Sequence, residues 1–427
     1  MKINKSLLTI LLQLTIFNIF AQNIEFDQYF SNGSLRFDYI HSGTYNKESI
    51  SAEMFKYEPF WGGTKTKLIS PFDYGKYKLV VKDSATSKPI YSSGYSTLFM
   101  EWQTTEEAKN MNKSFYESVI MPFPKNTVII EILSIDFNQN WTTIYKEYLN
   151  PGNYFIHRES IPSFPVLQIN GNKTPDKALD IVIIPEGYTK SEMSKFYQDA
   201  KRMSSYLFEV SPFKEYAESI NIKIVMAPSE ESGTDIPGKG VWKNTLLNSN
   251  FYTFNSERYL TTTDIKSLRD IASTTYYDQI YILVNTEKYG GGGIYNFYNL
   301  CTSDNKYTRE VFTHEFGHGL AWLADEYFYD DEMSNFYDKS IEPREANITT
   351  LIDFEKKWEN KIPKDVKIPT IATPENLNDI GVYEGGGYTS KGVYRAYQNC
   401  KMKSNSTNEF CEVCNDAIIE MMKFYSE

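Results

Sequence analysis

Histidine and cysteine are scarce in this chain of 427 residues, with four of each, and 44 Lys+Arg are outweighed by 55 Asp+Glu to give a formal net charge of −11. Without a basic field, the chain has little to recruit nucleic acid or an anionic membrane surface. Long hydrophobic runs are missing as well. Apart from one short N-terminal stretch, no segment is apolar over the roughly 20 residues a spanning helix needs. The run Gly290-Gly291-Gly292-Gly293 is not followed by Gly-Lys-Ser/Thr, which argues against a phosphate loop and leaves a flexible loop leading into an edge strand, IYNFYNL. There is no internal repeat and no low-complexity tract. What remains, 41% hydrophobic and 23% charged, is ordinary globular usage, and at roughly 150 residues per domain the length indicates two or three domains. The 33 Tyr and 27 Phe suit half-exposed sheet or groove surfaces.

The N-terminus, MKINKSLLTILLQLTIFNIFAQ, has the parts of an export signal. Lys2 and Lys5 make a positive start, residues 7–20 an apolar stretch, and Ala21 a small residue at the cut. The stretch is only about 14 residues long and contains Gln13 and Asn18, too short and too polar for an anchor. The expectation is a signal peptide over 1–21 and a mature protein secreted to the periplasm or beyond, with no membrane span. In that oxidising setting pairing of Cys301, Cys400, Cys411 and Cys414 is favoured over free thiols, and a disulfide over a zinc knuckle at Cys411-x-x-Cys414.

Two rhythms divide the rest. Up to about residue 149, FKYEPF, KYKLVVKD, KPIYSSGYSTLFMEW, NTVIIEIL and WTTIYKEYL alternate apolar and polar residues between turns such as Trp61-Gly62-Gly63 and Asp73-Tyr74-Gly75. This pattern predicts an antiparallel all-β sandwich domain over 22–160, a passive or binding module. The stretch 151–176 is rich in Pro, Gly, Asn and Ser, and a boundary falls there. From residue 161 onward ALDIVIIPEGY, INIKIVMAP and DQIYILVNT read as buried strands, alternating with helical KSEMSKFYQDAKRMSSYLFE and TTTDIKSLRDIAS. The second domain, 161–427, is therefore α/β with a mixed sheet.

The chemistry lies in KYTREVFTHEFGHGLAWLADEYF. Val311, Phe312, Phe316 and Leu320 are spaced for a helix capped near Thr308, which puts His314 and His318 one turn apart on one face. Two imidazoles so placed converge on one cation, with zinc the natural guest, and Glu315 on the adjoining face is placed to act as general base. A catalytic zinc needs a third ligand. Asp325 is seven residues past His318, roughly 10 Å along a straight helix, so the helix must end and the chain turn back. Asp325 is preferred, Glu326 is the fallback, and Asp338 in FYDKS is the competitor on a plan with a distant carboxylate. The acidic run Asp325, Glu326, Asp330, Asp331, Glu332 lacks the EF-hand spacing that would make calcium the better reading.

HEFGHGLAWLADEYF, with YEGGGYTSKGVYRAYQNCKM and FCEVC further on, resembles the bacterial IgA peptidase family, secreted zinc metalloendopeptidases related in plan to the metzincins. The resemblance spans about residue 177 to the C-terminus, and members also carry an N-terminal β-sandwich. It implies a metzincin-like zinc protease domain with an active-site helix, one catalytic zinc on His314, His318 and Asp325, Glu315 as general base, and Met402 as an apolar floor under the metal. Members commonly carry a glycine after the second histidine's turn, where Ala321-Trp322 stand here. Tyr388 and Tyr394, with Arg395 nearby, are candidate oxyanion donors. The implied activity is endopeptidase action on a protein or peptide substrate by a monomer, immunoglobulin A or other host or dietary glycoproteins among the substrates; the edge-strand reading of IYNFYNL adds that an extended substrate would lie along it. The rivals are a zinc amidase or exopeptidase acting on cell-wall peptides, and a surface-binding protein with a vestigial metal site.

Overall fold

The structure, a computed structural model, describes residues 24–159, 163–329 and 337–427. The export signal, the boundary at 160/161 and Asp330, Asp331 and Glu332 lie outside the described residues. No described helix is long and apolar enough to cross a membrane.

The first region runs α1 (Phe26–Tyr29), β1 (Phe30–Thr44), β2 (Lys47–Glu58), β3 (Tyr77–Asp83), β4 (Pro89–Tyr95), α2 (Leu98–Gln103), α3 (Glu106–Asn110), β5 (Lys113–Pro124), β6 (Val128–Ile135) and β7 (Trp141–Leu149). Two antiparallel sheets form, ordered β2-β1-β5 and β4-β3-β6-β7. Alternate residues such as Leu35, Phe37 and Tyr39 of β1, Leu79 and Val81 of β3, and Ile130 and Ile132 of β6 share one core. One expectation fails: LFMEW is helix α2, because Leu98, Phe99 and Trp102 bury a helical face where a strand would bury alternate residues. Between the sheets His41 is fully buried, with Nδ1 2.9 Å from Glu117 and Nε2 3.1 Å from Glu48, its ring stacked on Phe99 at 3.9 Å.

The second region contributes β8 (Val166–Asn170), β9 (Leu179–Glu186), α4 (Met193–Leu207), β10 (Ile220–Val225), α5 (Ile265–Ala272), β11 (Gln279–Val284), β12 (Gly291–Ile294), β13 (Tyr298–Thr302) and α6 (Thr308–Ala321). Its sheet is ordered β12-β13-β11-β9-β10-β8, with β9, β10, β11 and β13 parallel and the two edges antiparallel. After α6 come β14 (Ile348–Thr349), β15 (Tyr383–Gly386) and β16 (Thr389–Arg395) in a small antiparallel sheet, then α7 (Glu412–Ser426).

The central strands β9, β10 and β11 are mostly apolar and almost wholly buried because both faces are covered. Ile181, Ile183, Tyr281 and Leu283 face a core shared with α4, α6 and α7. Val182, Ile184, Ile280 and Ile282 face a core that includes Phe99, Trp102 and Phe115 from the first region. The N-terminal region therefore packs as a wall against one face of the sheet. Charge crosses the same boundary: fully buried Arg36 meets Asp38 at 2.9 Å and Glu58 at 3.2 Å on its own side and Asp270 at 2.8 Å on the other.

The glycine run is not a flexible loop. Gly291, Gly292 and Gly293 form the edge strand itself, and IYNFYNL divides into the end of β12, a turn and β13, which lies inside the sheet. The cause is close approach, since a Cβ on Gly291 would lie 2.6 Å from Glu315 Oε1 and one on Gly293 would lie 2.2 Å from the Glu315 carbonyl. Only a strand without side chains fits against α6 at this depth. The outer side of β12 also meets Tyr259 at Gly291, so IYNFYNL does not offer the open edge expected for a substrate.

Candidate active site

Helix α6 starts at Thr308, but the Thr308 hydroxyl donates to the Thr302 carbonyl at 2.9 Å and does not cap the helix. Phe312, Phe316 and Leu320 are each 2% exposed or less and anchor α6 to the sheet, each side chain contributing about 2 kcal/mol by burial. That fixes His314 and His318 on the opposite face, only 15% and 17% exposed at their side chains. The helix ends where the sequence requires. Trp322 adopts a left-handed conformation, φ 49°, and Leu323 N–H returns to the Gly317 carbonyl at 3.3 Å. A tryptophan does here what glycine usually does, held by the Arg344 guanidinium 4.8 Å from its ring and by Tyr74 and Tyr295.

Past that turn Asp325 comes back to the helix. Its Oδ1 lies 3.1 Å from His314 Nε2 and 3.4 Å from His318 Nε2, and the two Nε2 atoms are 3.1 Å apart. Each imidazole uses its other nitrogen on the backbone: His314 Nδ1 on the Lys401 carbonyl at 3.0 Å, His318 Nδ1 on the Leu323 carbonyl at 2.5 Å. A carbonyl only accepts, so each Nδ1 carries hydrogen and the Nε2 lone pairs are left facing one another and a carboxylate. Asp325 Oδ1 is buried and receives no well-aligned hydrogen bond. Three electron-pair donors facing one another need a positive charge between them. Donors at 2.0 to 2.1 Å from one tetrahedral cation are about 3.3 Å apart, and this triangle fits that edge.

The charges report the same demand. Burial works against a charged His318, but Asp325 and Glu315 outweigh it and push the imidazole up to about 9. Burial works against the Asp325 carboxylate too, and the two imidazoles overcome it and hold the group far below the usual range. Glu315, whose carboxylate groups with the two imidazoles, is pushed up by burial against the pull of both.

Three contacts hold Asp325. Its carbonyl accepts from Gly387 N–H at 2.8 Å, the Tyr388 hydroxyl donates to its Oδ2, and the next residue, Glu326, donates its N–H to the Met402 carbonyl at 2.8 Å. Met402 is fully buried, and a Cβ on Gly317 would lie 2.9 Å from its sulfur, so the thioether packs against α6 at Gly317. Of the two candidate oxyanion donors, Tyr388 is engaged with Asp325, while Tyr394 sits on β16 opposite Thr349 and Glu384. Arg395 donates to the Glu384 and Gly385 carbonyls. Glu326 turns away from the imidazoles toward Cys414 and Asn347, and exposed Asp338 accepts from Ser340.

Two neighbours escaped the reading of the sequence. Glu101, from α2 of the N-terminal region, accepts from the Tyr259 hydroxyl, and burial pushes its carboxyl up to about 7, with Glu315 and Asp325 adding and His318 opposing. Arg258 is exposed, donates to the Tyr329 hydroxyl at 3.1 Å and lowers Glu315 through space. Neither belongs to a motif, because each reaches the site only through tertiary packing.

All four cysteines are free thiols, contrary to the disulfide expectation. Cys301 is buried on β13 beside Tyr281, while Cys400, Cys411 and Cys414 gather elsewhere around Glu326, so the four thiols do not form two pairs.

Two family models match the chain: IgA Peptidase M64 over residues 167–379 and 371–422, and Peptidase M64 N-terminus over residues 25–146. None of the curated proteins compared matches it.

Proposed function

The chain belongs to the IgA peptidase M64 family and is a peptidase; we propose that it is an exported, zinc-dependent endopeptidase on a metzincin-like plan, cutting internal peptide bonds of proteins. The observation that carries this is the convergence of His314, His318 and Asp325 beside Glu315. Export rests on the N-terminal run alone. Immunoglobulin A, from the family's description, is the first substrate to try.

Zinc on His314, His318 and Asp325 would polarise the scissile carbonyl and acidify water. The chain's own residues do the rest. Glu315, raised by burial, takes a proton from the attacking water and delivers it to the leaving amine. The Lys401 and Leu323 carbonyls keep the imidazoles in the tautomer that leaves Nε2 free. Tyr388 keeps Asp325 from rotating away. Arg258, exposed and acting on Glu315 through space, offers a cation for a substrate carbonyl or acidic side chain.

The test is product mapping on denatured protein and on immunoglobulin A. Internal cuts that stop on chelation, return with zinc and are missing from a Glu315→Ala chain that still holds zinc are expected. Removal of terminal residues only, or equal cutting by Glu315→Ala, would overturn the reading.

A further inference from the structure

Behind the histidine pair lies a second cluster of donors. Cys400, Cys411, Cys414 and Glu326 are all buried, and each brings one ligand atom into a group whose atoms lie within 4.8 Å of one another. Cys400 Sγ is 3.7 Å from Cys414 Sγ; Glu326 Oε1 is 3.2 Å from Cys414 Sγ and 4.0 Å from Cys411 Sγ. Around a tetrahedral zinc, with bonds of about 2.3 Å to sulfur and 2.0 to 2.2 Å to oxygen, S···S edges are about 3.8 Å and S···O edges about 3.5 Å. A disulfide requires about 2.0 Å, and with three thiols it would strand one of them beside a buried carboxyl.

The surroundings suit a cation. Glu326 is fully buried and its Oε2 has no hydrogen-bond partner, while Asn347 Nδ2 orients its Oε1 at 3.0 Å. Cys411 N–H donates to Cys400 Sγ at 3.3 Å. Cys411 is the residue just before α7, a helix of 15 residues, and Cys414 is in its first turn, where the positive end of the helix favours thiolates. Three thiolates and a carboxylate exceed a divalent ion by two negative charges, and Arg395 and Lys403 act on both Glu326 and Cys400, with Lys401 acting on Cys400 as well.

We propose that Cys400, Cys411, Cys414 and Glu326 form a structural zinc site separate from the candidate active site. Its place in the chain gives it a task. Cys400-Lys401-Met402 joins a ligand of this site to the carbonyl that orients His314 and to the sulfur under Gly317. On the other segment Asp325 and Glu326 face opposite ways, one to each cluster. One ion ties both segments to the start of α7 and holds the floor and third donor of the active site in register. The proposal stands whether or not His314 and His318 hold a metal.

The test is zinc content and zinc-edge X-ray absorption on the full chain, wild type beside the His314→Ala/His318→Ala double variant. Two zinc ions per wild-type chain are expected and one in the variant, the remaining ion showing three sulfur neighbours at about 2.3 Å. Cys414→Ser should lose that sulfur signature. If Cys414→Ser fails to fold, native wild type decides, because its three thiols should resist alkylation until a chelator strips the zinc. A cystine among Cys400, Cys411 and Cys414 in a non-reducing peptide map, or a double variant without sulfur-bound zinc, overturns the proposal. A wild type holding only the sulfur-bound ion would sink the active-site reading and leave this one standing.

Discussion

His41 is the sharpest place to test the electrostatics of the N-terminal region. Both ring nitrogens face carboxylates, Glu117 at 2.9 Å and Glu48 at 3.1 Å, so both carry hydrogen and the ring is an imidazolium. Burial opposes that charge, yet the two carboxylates outweigh it and push the imidazole from 6.5 up to about 9. The folded chain therefore keeps a proton that the unfolded chain releases near pH 6.5. Stability from His41 is fully present below that pH and is lost as pH rises through about 9. At about 1.4 kcal/mol per pH unit, the contribution is about 3 kcal/mol. In His41→Gln a neutral amide leaves the buried Glu117 without its counter-ion, a cost of about 3–5 kcal/mol at pH 6. Urea denaturation of the full chain, wild type and variant, from pH 6 to pH 10 is the assay. The gap between them should be widest at pH 6 and shrink by about 3 kcal/mol above pH 9. A gap that is constant with pH, or that widens as pH rises, would mean that Glu117 and Glu48 do not hold His41 as an imidazolium.

Arg36→Met strands Asp38 and Glu58 in the interior and removes the link to Asp270, so the denaturation midpoint should fall with a loss of about 3–5 kcal/mol. Gly293→Ala drives a methyl to 2.2 Å from the Glu315 carbonyl and 3.0 Å from His318 Cβ, and kcat/KM should drop about 100-fold as the helix is displaced. Tyr388→Phe frees the Asp325 carboxylate, and competition with a chelator should show zinc held about 10–100-fold more weakly. Glu315→Gln should keep its zinc while kcat falls by about two to four powers of ten.

Much of the candidate site's geometry could be read in the sequence because it rests on helix geometry. The spacing of His314 and His318 places them together on any helix, and the length of a straight helix forces the turn before Asp325. The device that makes the turn was hidden, since a left-handed tryptophan is not a usual stop signal and depends on Arg344, Tyr74 and Tyr295 arriving from elsewhere. The alternating strands of the first region were visible in KYKLVVKD and NTVIIEIL, whereas LFMEW follows an alternating run closely enough to pass for its continuation and is helical only because of what it packs on. The glycines of β12 look like a loop until the proximity of α6 is known. Cysteine composition and the expected export argued for pairing, and a three-thiol cluster needs three-dimensional neighbours, Glu326 above all, that spacing does not reveal.

Zinc-edge anomalous diffraction from crystals of catalytically active protein decides whether His314, His318 and Asp325 share one zinc. A peak is expected about 2.1 Å from His314 Nε2, His318 Nε2 and an Asp325 oxygen, with Glu315 beside it and outside bonding distance. Active crystals with no density among those three residues would contradict it.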